Sequence, residues 1–143
     1  MKEKIINICG KEVKLIYCAA TENSFEDIAQ KSIGVFVPKF EEQDGKIVII
    51  EDAKCTIGDW VALGMAGIIA ASARDGMPEP PVTFDEILFD AKPAERNALT
   101  AAIQALRYDW YGIPNVVEDL LNQDQKNAQA NDEEGEKEET PKN

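Results

Sequence analysis

The sequence contains no histidine, and this absence narrows the chemistry that the chain can perform. Histidine is the side chain that most often transfers protons near neutral pH, and it is the commonest metal ligand. Without it, a serine or cysteine nucleophile has no imidazole base beside it. The sequence therefore favours a protein that acts by binding, and it predicts no enzyme activity, no catalytic residue, no cofactor and no metal site.

Cysteine is also scarce, and the three that occur show no C-x-x-C spacing. An odd number of isolated cysteines, here Cys9, Cys18 and Cys55, is typical of reduced thiols in a cytosol and not of a disulfide framework or a zinc site. The N-terminal residues MKEKIINICG lack the apolar stretch of a signal peptide. Together these features predict a cytoplasmic protein.

Long hydrophobic runs are missing as well. The longest candidate is residues 57–73, which contain a single charged side chain, Asp59, and are rich in glycine and alanine. A membrane-spanning helix needs about 20 predominantly apolar residues, so this segment is better interpreted as a buried helix of a soluble protein. We therefore expect no membrane partner.

Positive charge is in short supply, with 15 Lys and Arg against 27 Asp and Glu and a net charge of −12. Binding to nucleic acid or to an anionic membrane requires basic side chains that neutralise phosphate, so neither is expected as a partner. The acidic balance has two other interpretations, and both stay open at this stage. It can keep an adhesive protein soluble, or it can imitate nucleic acid toward a basic partner.

Signals that start helices are plentiful. Three Ser or Thr residues stand three positions ahead of an acid, in the spacing of a capping box, and a proline suits the first turn of a fourth helix. The pairs are Ser24 with Asp27, Thr56 with Asp59, and Thr83 with Glu86, and the proline is Pro93. The apolar periodicity that follows these signals predicts helices over residues 21–32, 57–74, 84–90 and 93–111.

Two pairs of β-prone segments flank tight-turn dipeptides. Residues 4–8 and 12–17 flank Cys9-Gly10, and residues 35–40 and 46–50 flank Asp44-Gly45. The second pair can also be interpreted as a loop with one short strand, and Pro38 would confine its first strand to a sheet edge. The prediction is an α+β fold, mainly helical, in which a small N-terminal antiparallel β element packs with three to five helices.

The composition changes near residue 122. From residue 123 to 143 there is no Leu, Ile, Val, Phe, Trp, Tyr or Met, and seven acids stand against three lysines. Such a segment cannot bury enough apolar area to offset the entropy of ordering it. We predict a single globular domain over residues 1–122 and a disordered acidic tail over 123–143. The tail is either a solvated extension or a functional segment, which would shield an adhesive complex or compete for a basic surface on a partner.

The predicted helix 57–74 is apolar on two opposite faces. One face holds Gly64 and Gly67, whose small size lets another backbone approach closely and offsets the cost of glycine in a helix. The opposite face holds Ala62, Met65 and Ile69. A helix that is apolar on both sides must be covered on both sides, so this second face either contacts a partner or lies in the core beneath the N-terminal hairpin.

The order of these segments resembles that of the tail assembly chaperones of long-tailed bacteriophages and prophages. The resemblance covers residues 5–121. It is carried by the strand G-K-E-V-K-L-I-Y, the helix S-F-E-D-I-A-Q-K-S-I-G, the Gly/Ala-rich helix, the segment P-x-x-P-x-T-F-D-E-I and the closing R-Y-D-W-Y-G-I-P. Residues 35–50 depart from the family pattern, because they are longer and more β-like.

The resemblance implies a chaperone of viral morphogenesis that acts in the bacterial host cytoplasm. Its partners would be the tape measure protein, which it binds and solubilises, and the tail tube protein, whose subunits it helps to recruit; a homo-oligomer is also compatible. We predict that partner binding involves the second face of helix 57–74 and the outer side of the last long helix. The residues are Ala62, Met65, Ile69, Gln104, Tyr108 and Tyr111.

Two alternatives of other classes stay open. One is an acidic inhibitor that mimics nucleic acid, and the other is a self-assembling structural subunit of a phage particle. Enzymatic alternatives have less support in the sequence. Adjacent acids such as Glu41-Glu42, Glu51-Asp52 and Glu118-Asp119 have no ligand-spaced partner, and no G-x-x-x-x-G-K-[ST] phosphate loop occurs.

Overall fold

The computed structural model describes residues 1–112, so the predicted domain boundary at residue 122 and the acidic tail lie outside the described residues. The elements are β1 (Glu3–Ile8), β2 (Lys11–Ile16), α1 (Ala19–Ala29), a 3-10 helix (Ile33–Phe36), β3 (Lys39–Gln43), β4 (Lys46–Glu51), α2 (Ile57–Arg74), α3 (Phe84–Phe89) and α4 (Pro93–Trp110). The α+β prediction is confirmed. The description "mainly helical" was slightly too strong, because the four strands are a substantial part of the chain.

The N-terminal hairpin is confirmed. β1 and β2 pair antiparallel from Glu3 opposite Ile16 to Ile8 opposite Lys11. Cys9 and Gly10 both have positive φ, 52° and 74°, which is the backbone geometry of the tight turns that match strand twist. β2 buries Val13, Leu15 and Ile16, and it packs against α2. This sheet therefore forms one wall of the core.

The second hairpin is also present, but it forms a sheet of its own. β3 and β4 pair antiparallel around Asp44-Gly45, and no described strand joins them to β1–β2. The expectation of a single small β element is corrected on this point, and so is the alternative of a loop with one strand. β3 starts only at Lys39, because the Ser32 hydroxyl accepts from the backbone N–H of Gly34 and opens the 3-10 helix instead.

Two of the three predicted capping boxes form. The backbone N–H of Asp59 donates to Thr56 Oγ1 at 3.1 Å, and that of Thr56 donates back to Asp59 Oδ2 at 2.9 Å. Thr83 and Glu86 exchange the same two bonds, each at 3.1 Å. The Pro93 start of α4 is likewise confirmed. These helix starts depend on local sequence alone.

The third capping box, at Ser24, was a wrong prediction. α1 begins at Ala19, so Ser24 lies inside the helix. The start is set by Thr21, whose hydroxyl donates to the Ile16 carbonyl at 3.0 Å and accepts from the Cys18 backbone N–H at 3.1 Å. β2 therefore runs almost directly into α1. The helix ends at Ala29, and its C-cap residue Gln30 has a left-handed conformation, so the helix stops before the predicted end at residue 32.

The different roles of Thr83, which caps α3, and Ser24, which lies inside α1, predict different effects of alanine substitution on stability. Thr83→Ala should lower the free energy of unfolding by about 1 kcal/mol, because it leaves helix N–H groups without their cap. Ser24→Ala should change it by no more than about 0.5 kcal/mol, since alanine is the better helix former at an interior position. Urea unfolding of both variants checks this. An equal loss in both would contradict the assigned start of α1.

α2 is the central helix of the core, and α1, β2 and α4 all pack on it. A Cβ atom at Gly64 would lie 2.5 Å from Leu99 Cγ, and one at Gly67 would lie 2.7 Å from Ile103 Cδ1 and 3.0 Å from the Ile16 carbonyl oxygen. The predicted close approach at these glycines is therefore confirmed. Among residues 1–112, no helix combines the length and apolarity that crossing a membrane requires.

α4 covers α2 through a stripe of apolar side chains. Leu99, Ala102, Ile103 and Leu106 are buried, as the periodicity predicts. Trp110 follows Leu106 at helical spacing on the same side of α4 but is 49% exposed. It lies in the final turn of α4, where it lines a surface depression beside Met1 and Lys2 instead of entering the core.

Candidate interaction surface

The second face of α2, predicted as a partner-binding surface, is mostly inside the protein. Ala62 and Met65 are only 4% and 3% exposed, and Ile69 is partly buried. Met65 belongs to the same core cluster as Phe25 of α1 and Leu99 of α4. The expectation of an uncovered face is wrong for Ala62 and Met65, which are core residues. The alternative of a face buried beneath the N-terminal hairpin is correct as to burial, but α1 and α4, as well as β2, pack on α2.

The outer side of α4 is more accessible, but its aromatic end is occupied by intramolecular contacts. Gln104 and Tyr108 are partly buried and Tyr111 is about half exposed. The hydroxyl groups of Tyr111 and Tyr17 both donate to the Glu22 carboxylate, the latter at 2.8 Å. The hydrogen bond to Glu22, followed by burial, raises the pKa of Tyr111. Tyr111 therefore fastens the end of α4 to α1, and its role in partner binding stays a prediction.

Arg107 completes this contact between helices. Its guanidinium carbon lies 5.2 Å from the centre of the Tyr111 ring and 5.6 Å from that of Phe36, distances at which a cation is attracted to an aromatic face. The structure thus brings Gln104, Tyr108 and Tyr111 together on successive turns of α4. It does not join them to Ala62 and Met65, which lie in the core.

The most exposed apolar segment of the described chain is the β3–β4 hairpin. Neither strand packs extensively on another described element. The exposed fractions are 54% for Phe40, 77% for Ile47, 57% for Ile49 and 53% for Ile50. Solvent-exposed isoleucines in such a group are unusual for a monomer and mark surfaces that bind other molecules.

The strand register places three of these side chains on one side of the hairpin. Phe40 lies opposite Ile49, and Glu42 lies opposite Ile47. Residues directly opposite each other in an antiparallel pair, and residues two apart along a strand, share a face. Phe40, Ile47 and Ile49 therefore form one surface, which we name the apolar hairpin face, and Glu42 lies on the same side at its edge. Ile50 is the extra residue of a β-bulge between the Phe40–Ile49 and Lys39–Glu51 pairs.

Charges are placed at the ends of β4. The Glu51 carboxylate lies 3.1 Å from Lys39 Nζ and 3.2 Å from Lys54 Nζ. Hydrogen bonds from Lys39 and then Lys54 lower the pKa of Glu51, so it stays ionised. At the other end of the strand, Lys46 forms no salt bridge with any residue of the described chain. β4 thus has a cation at its start, an anion at its end and aliphatic residues between them.

Sequence reasoning missed this surface, although a signal for it was present. Residues 35–50 were already recognised as more β-like than the family pattern, and Asp44-Gly45 predicts a hairpin. A two-stranded hairpin is marginally stable alone and normally hides its apolar side against another element. The sequence does not show which element would cover this hairpin, and in the described chain β3 and β4 pack extensively only on each other.

Residues 1–112 give little support for a metal site, a cysteine nucleophile or a pocket for a small organic ligand. No group of three or more Cys, Asp or Glu side chains in this part of the chain could hold a metal ion. Burial, followed by the charges of Glu95 and Glu86, raises the pKa of Cys9, which opposes a nucleophilic role. Two surface depressions of ≈180 and ≈200 Å³ are smaller than the usual site for a small organic ligand.

Comparison of the chain with protein-family models, with curated proteins and with solved structures finds no match in any of the three. The resemblance to tail assembly chaperones therefore stays a prediction from sequence. The apolar hairpin face is the feature from which we argue function.

Proposed function

We propose that this chain is a non-enzymatic tail assembly chaperone of a bacteriophage or prophage. It would bind and solubilise the tape measure protein in the host cytoplasm and help to recruit tail tube subunits. The apolar hairpin face carries the proposal, because Phe40, Ile47 and Ile49 are more than half exposed on a hairpin that no described element covers. The sequence resemblance supplies the class of partner.

The physical requirements of a holding chaperone match this arrangement. Such a protein needs accessible apolar surface for an amphipathic helix, and enough charge to keep the complex in solution. Ile47 and Ile49 stand two residues apart on β4, opposite Glu42 and Phe40, and present a flat apolar strip to one side. The net charge of −12 gives the complex colloidal stability. We therefore assign partner binding to the β3–β4 hairpin in place of the second face of α2, while the predicted residues on the outer side of α4 stay a prediction.

The position of this face also fits the departure from the family pattern. Residues 35–50, which contain the hairpin, are the segment that differs from the pattern of the resemblance. The segments that form the helices around α2 carry the sequence resemblance, whereas the segment that forms the hairpin departs from it. Partner specificity would therefore belong to the hairpin, since exposed segments on a rigid scaffold commonly carry binding residues.

Co-expression with fragments of the neighbouring tape measure protein tests the proposal. The wild-type chain should keep at least one fragment in the soluble fraction. Ile47→Glu with Ile49→Glu should reduce the recovered complex by about ten-fold or more, because two charges would then be desolvated against an apolar helix. The matched control is Ile5→Glu, which makes the same substitution at a 53% exposed isoleucine of β1.

Three results would contradict the proposal. One is that no tape measure fragment is held by the wild-type chain, and another is that Ile5→Glu is as harmful as the hairpin variant. The third is that removal of residues 123–143, or raised salt, abolishes binding while the hairpin variant does not. That last pattern is the one expected of an acidic mimic of nucleic acid, whose binding is electrostatic.

A further inference from the structure

The outer edge of β4 has backbone groups that no described strand satisfies. Asp44 and Gly45 have φ of 52° and 77°, which defines a two-residue turn whose flanking pair, Gln43 and Lys46, exchanges hydrogen bonds. Hydrogen-bonded and non-bonded pairs alternate along an antiparallel ladder. Val48 therefore bonds toward β3, whereas Ile47 and Ile49 direct their backbone N–H and C=O groups away from it, to the open edge.

β4 is complementary to a second copy of itself in charge and in apolarity. It reads K-I-V-I-I-E, with Lys46 at one end, Glu51 at the other and four aliphatic residues between them. In an antiparallel register centred on Val48, Lys46 of each copy lies opposite Ile50 of the other copy and one residue from its Glu51. The Glu51 carboxylate also contacts Lys39 and Lys54. The side chains of Lys46 and Glu51 both lie on the face opposite Ile47 and Ile49, so they can meet across the new pair. Parallel pairing would instead bring like charges together.

The other edge of the hairpin lacks this property. β3 carries Glu41 and Glu42 at its centre, and Pro38 directly precedes it. Pairing two β3 edges would oppose acids with acids, and proline and charged side chains are typical of edges protected from strand addition. Of the two edges, only that of β4 is built to accept another strand.

We propose that two copies of this chain associate through β4, edge to edge and antiparallel, about a twofold axis that passes between the two Val48 residues. In this register Ile47 of one copy lies opposite Ile49 of the other and exchanges backbone hydrogen bonds with it. The twofold axis is perpendicular to the sheet, so the interface is the same patch on both copies. The result is a four-stranded sheet, which is inherently more stable than a lone hairpin.

This symmetry keeps both apolar hairpin faces on the same side of the sheet. Phe40, Ile47 and Ile49 of the two copies would then form one continuous apolar surface, about twice as wide as that of one hairpin. The association itself does not depend on the proposed function, because it is measured on the purified protein without any tape measure fragment. Failure of either can therefore be recognised separately.

Light scattering after size-exclusion chromatography, over a series of concentrations, tests the association with the full chain. The wild-type protein should approach twice the monomer mass as the concentration rises. Lys46→Glu should raise the dimer dissociation constant by about ten-fold or more, because twofold symmetry introduces the like-charge contact twice. Lys4→Glu is the matched control, since Lys4 is also exposed on a strand and forms no salt bridge in the described chain.

A cysteine scan tests the register independently. Two Val48 residues facing each other in a non-bonded pair would have Cα atoms about 4.5 Å apart, within the range of a disulfide. Val48→Cys should therefore give a covalent dimer on mild oxidation. Ile47→Cys should not, because positions 47 of the two copies are offset by two residues and lie more than about 7 Å apart. The wild-type chain, oxidised in the same way, shows whether the native cysteines Cys9, Cys18 and Cys55 form a covalent dimer by themselves.

The proposal is overturned by a protein that stays monomeric at every concentration, or by a dimer that Lys46→Glu leaves intact. It is overturned equally if Ile47→Cys cross-links as readily as Val48→Cys. Unchanged far-UV circular dichroism of each variant shows that loss of association does not come from loss of folding.

Discussion

Gly64→Val is expected to destabilise the protein by about 3 kcal/mol, a loss typical of the upper range for an overpacked core. A Cβ at this position would lie within 2.5 to 3.0 Å of three carbon atoms of Leu99, which is fully buried on α4. Since all three of these carbons are closer than a normal contact distance, Leu99 and α4 must shift away from α2 to admit the new side chain. Chemical denaturation with a fluorescence or circular dichroism readout measures the loss.

A double-mutant cycle with Leu99→Ala separates this clash from other effects of the valine. Leu99→Ala alone should cost about 2–5 kcal/mol, because it leaves a cavity in a well-packed core. In that background the valine at position 64 fills the vacated space, so the double variant should be at least as stable as Leu99→Ala. The coupling energy should reach about 2–3 kcal/mol, as found for residues in direct contact.

Gly58→Val is the control within the same helix. A Cβ at Gly58 would meet only Thr56 Oγ1, at an ordinary contact distance of 3.6 Å. The free energy of unfolding of Gly58→Val should stay within about 0.5 kcal/mol of the wild-type value, since valine is a slightly better helix former than glycine. If the Gly58 and Gly64 variants lost the same stability, or if the two effects in the cycle were additive, the close packing of α2 on α4 would be refuted.

Asp59→Asn is expected to cost about 2–3 kcal/mol, the value of hydrogen bonds to a charged group that is removed from solvent. Asp59 is 5% exposed and its carboxylate accepts from the Thr56 backbone N–H at 2.9 Å. Lys31 Nζ, in the loop after α1, donates to it at 3.0 and 3.3 Å. One side chain thus caps α2 and ties it to the end of α1, and an amide retains the shape but not the charge.

The same residue predicts a pH dependence. Burial opposes ionisation of Asp59, but the hydrogen bond from Thr56 and the charge of Lys31 outweigh it, so the pKa is lowered from its ordinary value. A carboxyl group with a lowered folded-state pKa contributes its full stabilisation above the unfolded pKa and loses it as the pH falls. The stability difference between the wild type and Asp59→Asn should therefore be constant near neutrality and shrink below about pH 4.

Thermal unfolding at a series of pH values measures both the stability lost in Asp59→Asn and the decrease of that loss at low pH. Lys31→Met, which removes only the partly exposed cation, should cost less than Asp59→Asn, because Lys31 is 45% exposed at its side chain and the pair is screened on that side. A stability difference that grew as the pH fell would reverse the sign of the predicted linkage. Equal losses in the two variants would show that the cap contributes nothing beyond the ion pair.

The helices could be predicted because their boundaries depend on neighbouring residues. Thr56 and Thr83 start α2 and α3 by bonding to groups three residues away, and Pro93 starts α4 because its ring suits the first turn. The helix start predicted at Ser24 from the same kind of local signal was wrong. Its spacing was correct, but a contact between Thr21 and the end of β2 had already started the helix, and spacing alone does not show which of two overlapping signals is used.

The candidate site was predicted less well, because exposure depends on which elements meet. The pattern of α2 showed two apolar faces and could not show that α1, β2 and α4 together would enclose Ala62 and Met65. The pattern of the second hairpin gave its turn and its strands, but the side chains of Phe40 and Ile49 would look the same in sequence if they faced a core. The sequence therefore predicted exposed apolar surface at Ala62 and Met65, which are buried, and not at the β3–β4 hairpin, where the structure has it.

The sequence by itself determined the α+β class of residues 1–112, the four helices, both hairpin turns and the glycines that admit a close neighbour. These are consequences of capping, turn geometry and side-chain size, which act over a few residues. Only the tertiary structure decided that α2 is enclosed and that the β3–β4 hairpin keeps its apolar side in solvent. Burial is a property of the whole packing arrangement, since an apolar face is hidden or open according to what the distant parts of the chain place against it.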